Sequence, residues 1–176
     1  TVWLEGVGEF YLDSMRLTPD VDRRCLDTEF YLNQFSEGLT LELKAFYQNK
    51  LVKQLFAAVD GRIFKLSLSI REEDFIDEIH YWTPEAPNLY DLEISLSQKG
   101  EQTDHVKSYF GMRKISVSGN QILLNNRPYY QKLILDQGYW PESLMTPPDD
   151  RAIQRDILLT KELGFNGARK HQKIED

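Results

Sequence analysis

Three stretches of this chain alternate apolar and polar residues one by one, and that period of two limits the fold more than any other feature. Phe64, Leu66, Leu68 and Ile70 stand against Lys65, Ser67 and Ser69; Leu39, Leu41 and Leu43 against Thr40, Glu42 and Lys44; Leu92, Ile94 and Leu96 against Glu93 and Ser95. Successive side chains of a strand point to opposite faces, so each stretch reads as a strand with one face buried and one in water. Weaker copies lie near Phe10–Thr18, Arg24–Leu32 and His105–Phe110. Turn residues separate them at Pro19-Asp20, Ser36-Glu37-Gly38, Asp60-Gly61 and Lys99-Gly100. About seven short strands over roughly 100 residues predict an antiparallel β-sandwich of immunoglobulin type. The paired cysteines of antibody domains are absent, so only the architecture is expected.

Composition supports a folded chain and removes several function classes. Of 176 residues, 41% are hydrophobic and 12% aromatic, which is globular and not disordered. The 21 Lys and Arg against 28 Asp and Glu give a net charge of −7, which argues against a nucleic-acid partner. No apolar run approaches the ~18 residues of a membrane span, so no membrane partner is expected. The one cysteine, Cys25, excludes an internal disulfide and leaves the redox compartment open. His80, His105 and His171 are too scattered for a metal site, and neither they nor Cys25 sit in a nucleophile's surroundings. No metal and no cofactor are expected. The start at Thr1-Val2-Trp3-Leu4, with no Met or leader, is read as a cut or processed end, so the localisation stays open.

Two segments break the alternation. Arg71-Glu72-Glu73-Asp74 reads as a solvated loop. Trp82-Thr83-Pro84-Glu85-Ala86-Pro87-Asn88-Leu89-Tyr90 reads as a rigid corner, Pro84 and Pro87 fixing φ and the aromatics capping the sandwich; sugar stacking by Trp82 is the other reading.

The last third changes period. A hairpin over Lys114–Val117 and Gln121–Leu124, around Ser118-Gly119-Asn120, is followed by a strand Tyr129–Leu135. A helix is predicted from about Asp149, its cap, to Leu163, with Gly164 stopping it. Ile153, Ile157, Leu158 and Leu163 form an apolar face expected to be core. A second strand, Phe165–His171, follows. Two strands and one crossover helix leave sheet faces uncovered, so this unit is expected to begin something larger that continues past Asp176.

Five short motifs then occur in order: Trp82/Pro84/Pro87/Leu89/Tyr90, Phe110/Gly111/Arg113, Leu124/Asn125/Pro128, Asp136 near a strand end, and Leu163/Gly164/Asn166/Arg169. Each is weak alone; in this succession over residues 80–176 they resemble glycoside hydrolase family 2, the β-galactosidase, β-glucuronidase and β-mannosidase enzymes. Val2-Trp3-Leu4-Glu5 likewise resembles the last strand of that family's sugar-binding jelly roll. Asn126 stands where the family usually has Gly; Asn tolerates positive φ, so the turn is expected to survive. Arg169-Lys170-His171 departs from the Arg-x-Ser-His-Tyr-Pro of many members, which loosens any inference about the sugar.

The resemblance implies a mainly β chain: residues 1–8 the end of a jelly roll, 9–112 an immunoglobulin-like sandwich, and 113–176 the first βαβ segment of a (β/α)₈ barrel, which needs ~250 residues in all. It further implies a retaining β-glycosidase, β-galactosidase-like by base rate, whose two glutamates lie on later barrel strands. Glu142, Glu162 and Glu175 have no matching context, so no catalytic residue is expected within this chain, which alone is expected to be inactive. By the same resemblance Asp136, Arg169 and His171 face the glycone at strand ends, while Trp140 forms a lid over the barrel rim or an aromatic platform for a pyranose. The expected partner is the carbohydrate substrate of the whole enzyme, with self-association through the incomplete barrel. Two competing readings are a free-standing immunoglobulin-like binding module, for which residues 128–176 would be dispensable, and a carbohydrate-binding module. The latter needs a row of exposed aromatics on one sheet face, which Tyr11, Phe30 and Tyr47 do not obviously supply.

Overall fold

A computed structural model describes residues 4–71 and 79–172. The chain divides into two compact units, Thr1–Ser118 with Leu123–Arg127, and Gly119–Ile122 with Pro128–Asp176.

In chain order the first unit holds β1 (Leu12–Asp20), β2 (Cys25–Leu32), β3 (Leu39–Tyr47), β4 (Lys50–Ala58), β5 (Ile63–Ser69), β6 (Tyr90–Gln98) and β7 (Glu101–Phe110). They form two antiparallel sheets, ordered β1-β2-β5 and β4-β3-β6-β7. The alternation is the reason these sheets meet. Leu39, Leu41 and Leu43 of β3 and Leu92, Ile94 and Leu96 of β6 are no more than 1% exposed, and Leu41 pairs with Leu96, Leu43 with Ile94. From the other sheet Leu26, Phe30, Leu32, Phe64 and Leu68 join the same apolar cluster. Phe30 and Phe64 lie in register with ring centroids 5.2 Å apart. Thr28 is the buried polar residue among those described, and its Oγ1 donates to Leu66 O at 3.1 Å, so no buried group goes unpaired there. The expected antiparallel sandwich is present.

Its edges differ from the sequence reading for physical reasons. β4 was not foreseen, because Leu51, Val52, Leu55, Phe56 and Val59 recur at helical and not alternating spacing. Pairing along β3 overrides that pattern, with a bulge at Ala45/Phe46 and Phe56 left 68% exposed at the sheet edge. Pro19-Asp20 is not the turn itself: both residues still pair with β2, and the chain reverses over Val21–Arg24. Pro19 is tolerated because β1 is an edge strand. Tight reversals at Gln48-Asn49 and Lys99-Gly100 place both residues at positive φ, the turn whose twist suits a hairpin. Asn125 and Asn126 do the same, with φ 50° and 65°, so Asn126 takes the conformation expected of a Gly there.

β8 (Ile115–Ser118), β9 (Gln121–Leu124) and β10 (Arg127–Pro128) form a small sheet at which the chain divides. The second unit then contains β11 (Leu133–Asp136), α1 (Asp150–Glu162) and β12 (Gly167–Lys170), with β11 and β12 parallel. Asp149 caps the helix, its side chain accepting from Ala152 N at 2.8 Å, and Gly164 leaves it at φ 83°. Both strands are shorter than expected. Before β11 the Asn166 side chain takes over from the ladder: Oδ1 accepts from Lys132 N at 2.8 Å and Nδ2 donates to Tyr130 O at 2.8 Å.

One expectation is corrected here. The apolar face of α1 is not core: no residue of the helix is buried, and Ile157, Leu158 and Leu163 are 55%, 66% and 71% exposed. Leu133 and Leu135 on β11 are also exposed. A two-stranded sheet and one helix have no further layer among the described residues to set against these faces. Of the remaining expectations, Thr1–Trp3, Glu72–Asp74 and Glu175 lie outside the described residues; Leu4 and Glu5 are exposed and in no strand.

Ile94→Ala removes a fully buried side chain between the sheets and should cost about 2–5 kcal/mol, read as a lowered Tm. Ile157→Ala, on the exposed helix face, should change stability by about 0.5 kcal/mol or less; equal losses for the two would contradict this core.

Candidate functional site

Four of the five motifs have a structural explanation before any ligand is considered, and three of them meet at one end of the sandwich. Tyr90 opens β6 and is buried, stacked on Phe110 at 5.1 Å, while its hydroxyl accepts from His80 N at 2.9 Å. A tyrosine at this point of a sandwich, hydrogen-bonded back to the chain upstream, is the tyrosine corner of immunoglobulin-like domains. His80 in turn stacks on Tyr47 at 3.8 Å, and Asn88 bridges the Tyr47 hydroxyl to Tyr81 O. Trp82 pairs with Pro87 across the corner, and its N–H donates to Met112 O. The Arg113 guanidinium sits 4.8 Å from its ring centroid. A Cβ at Gly111 would lie 3.2 Å from Trp82 Cβ, which is why glycine fits beside Arg113. The corner reading of this segment holds; the Trp82 ring face is engaged by Arg113.

Asn125 locks these pieces together. Its Nδ2 donates to Trp82 O at 3.0 Å, its Oδ1 accepts from Lys114 N at 2.9 Å, and its own N–H donates to Lys114 O at 2.8 Å. Beside it, Asp22 accepts from Lys114 Nζ at 2.6 Å and from Asn126 Nδ2 at 2.8 Å. The Lys114 hydrogen bond first, then that of Asn126, holds the Asp22 carboxyl below its ordinary range.

The four residues expected to face a sugar all lie in the second unit, and they are only partly brought together. Asp136 ends β11 on the register position of Lys170, and its Oδ2 is 2.7 Å from Lys170 Nζ. Asp136 Oδ1 accepts from Gly138 N at 2.8 Å, and its carbonyl accepts from His171 N at 2.9 Å. Gln137 Nε2 lies 3.2 Å from His171 Nδ1; an amide nitrogen only donates, so Nδ1 accepts. Asp136, Gln137, Lys170 and His171 thus gather where the two parallel strands end. Arg169 pairs in register with Leu135 and is exposed, so alternation sends it to the face opposite Asp136 and Lys170. Trp140 is pinned by paired backbone hydrogen bonds with Leu144, at 2.9 Å each, and its buried Nε1 has no hydrogen-bond partner among the described residues.

Lys170 and Gln137 were missed from the sequence, because which residue of β12 meets Asp136 is set by the parallel register, which composition does not reveal. Glu142 and Glu162 are exposed, in a turn and at the end of α1. The cluster can accept from and donate to hydroxyl groups, with a carboxylate, an ammonium and an imidazole at one strand end.

A seven-stranded antiparallel sandwich followed by a strand–helix–strand makes this a mainly β chain. The family model for glycosyl hydrolases family 2 matches residues 10–113, so the chain belongs to that family. A β-galactosidase of Vibrio vulnificus (strain YJ016) is 35% identical over 91 residues, covering 50% of this chain and 8% of that protein. A β-galactosidase of Lactococcus lactis subsp. lactis (strain IL1403) is 25% identical over 152 residues, covering 79% of this chain and 15% of the relative. The fold is also similar to that of a β-glucuronidase from Ruminococcus gnavus, with TM-score 0.72 at 16% identity, over 94% of this chain and 26% of the other.

Asn125→Ala leaves Trp82 O and Lys114 N without their partners and should cost about 1–3 kcal/mol in chemical denaturation. For Asp22 the folded pKa is depressed, so its contribution is present above the unfolded value of about 3.9 and is lost as pH falls through the folded value. The difference in Tm between the wild type and Asp22→Ala should therefore persist from neutral pH down to about pH 4 and close below it. A difference independent of pH would show that the carboxylate charge plays no part.

Proposed function

We propose that this chain is the sandwich and the barrel-opening segment of a retaining β-glycosidase. Residues 9–112 form the immunoglobulin-like module, residues 113–176 the first βαβ of a (β/α)₈ barrel, and residues 1–8 the end of a preceding jelly roll. The observation that carries this is the family match over the sandwich together with a parallel β11–α1–β12 directly after it. A free-standing binding module has no use for such a unit, whereas barrel active sites are built at the C-terminal ends of parallel strands. Asp136, Lys170 and His171 occupy those ends. In this reading they hydrogen-bond glycone hydroxyls, Trp140 walls the same rim, and Arg169 serves the barrel from the other face of β12 or turns to the sugar once neighbouring strands are in place.

The nucleophile and the acid/base glutamates, which must stand ~5–5.5 Å apart in a retaining enzyme, belong to barrel strands outside residues 1–176. The substrate class is a β-galactoside, on the weight of β-galactosidases among the relatives. Purified residues 1–176 should give no release of nitrophenol from nitrophenyl β-galactoside, β-glucuronide or β-mannoside. Within a protein that carries the remaining strands, Asp136→Ala should lower kcat/KM by about 10²-fold or more on whichever glycoside is cleaved. Turnover by the isolated chain, or an unchanged kcat/KM for Asp136→Ala, would overturn the respective part.

A further inference from the structure

The outward face of the β4-β3-β6-β7 sheet carries an arrangement that neither the sandwich core nor the strand ends of the second unit use. Near the end of the sheet where β3 turns into β4, the register sets Leu51, Phe46, Asp91 and Tyr109 in one row, one residue from each strand. Tyr109 is 65% exposed, Asp91 is exposed and Phe46 is half-buried. The next row sets Lys44, Glu93 and Lys107 side by side, with Lys107 Nζ 3.2 Å from Glu93 Oε1. At the end of the sheet the β3–β4 turn brings up Asn49, held at φ 65°. A groove of about 340 Å³ runs here, lined among others by Phe46, Asn49, Asp91, Glu93 and Lys107. That volume falls within the range of small-ligand sites, ~300–1,000 Å³.

We propose that this groove is a second carbohydrate-binding site, for a neutral oligosaccharide, separate from the strand ends that hold Asp136. Three features of the face select that ligand class. Phe46 lines the groove, and Tyr109 stands in the same row two strands away, about 10 Å at the spacing of neighbouring strands, so one ring belongs to the groove and a second, exposed one lies beside it. An aromatic face is electron-rich and attracts the electropositive C–H face of a pyranose. Asp91 lies between the two rings and Asn49 lines the groove from the β3–β4 turn, and both accept from or donate to hydroxyls. Of the charged groups that line the groove, Asp91 and Glu93 against Lys107 leave one net negative charge, with the neighbouring Lys44 engaged by Glu42 at 2.8 Å, which disfavours uronate and sulfated sugars and leaves neutral ones. Such a site would hold a chain of sugars on the glycosidase without taking part in its chemistry; its existence does not depend on where the catalytic glutamates lie.

The test uses residues 1–176, with ¹⁵N-labelled protein titrated with neutral β-1,4-linked galactotetraose and, separately, with tetragalacturonate. The expected result is saturable shifts at the amides of Asn49, Asp91, Glu93 and Tyr109 with Kd in the millimolar range, about −4 kcal/mol, and a weaker response to the uronate. Tyr109→Ala and Asp91→Ala should each weaken binding by about tenfold (~1.4 kcal/mol) with Tm unchanged, because both side chains are exposed; Tyr109→Phe should bind like the wild type. Shifts confined to residues 133–172, no saturable shifts with the neutral sugar, or equal binding by Tyr109→Ala would overturn the proposal. None of these outcomes bears on whether a longer protein cleaves glycosides, so the two readings fail separately.

Discussion

The contact between the inward faces of β3 and β6 and the opposing face of β2 and β5 is what the first unit depends on. At about 25 cal/mol per Å² of apolar surface removed from water, a face holding Leu41, Leu43, Ile94, Leu96, Phe30 and Phe64 outweighs the ordering of the short strands that carry it. Everything else in that unit is attached to this slab. The tyrosine corner fixes where β6 begins, Trp82 and Arg113 close the end of the sandwich, and Asn125 ties the start of the hairpin to that corner.

The second unit is built from the same kinds of residues and lacks that contact. Ile157, Leu158, Leu163, Leu133 and Leu135 are apolar enough to be core and are exposed among the described residues. Local chemistry still specifies its elements: Asp149 caps the helix, Gly164 ends it, and the Asn166 side chain replaces missing ladder bonds. Parallel strands are normally covered on both faces, which is why we read this unit as one portion of a barrel. The contrast between covered and uncovered apolar faces, more than any single motif, separates the two units: the sandwich buries its apolar faces, whereas among the described residues the strand–helix–strand leaves its own exposed.

Alternation made β3, β5 and β6 legible almost residue by residue, because one buried face forces a period of two. β4 was hidden because its apolar residues recur as a helix's would, and only its pairing with β3 makes it a strand. The motif residues were visible as letters but their jobs were not: Tyr90, Gly111, Trp82 and Asn125 are explained by hydrogen bonds between segments far apart in sequence. The candidate sugar-facing set was legible in part. Asp136 and His171 do meet, whereas Arg169 gives its place beside Asp136 to Lys170, since a shift of one residue in register turns a side chain to the other face.

The most direct test of this account is amide hydrogen exchange on residues 1–176 under native conditions. The sandwich amides of β2, β3 and β6 should exchange only through global unfolding, with protection equal to the full stability of the domain. Amides of β11 and β12, lacking covered faces, should exchange through much cheaper local opening, at least about 100-fold faster. Protection in β11 and β12 equal to that of β3 and β6 would contradict the proposal that the second unit is the opening segment of a barrel.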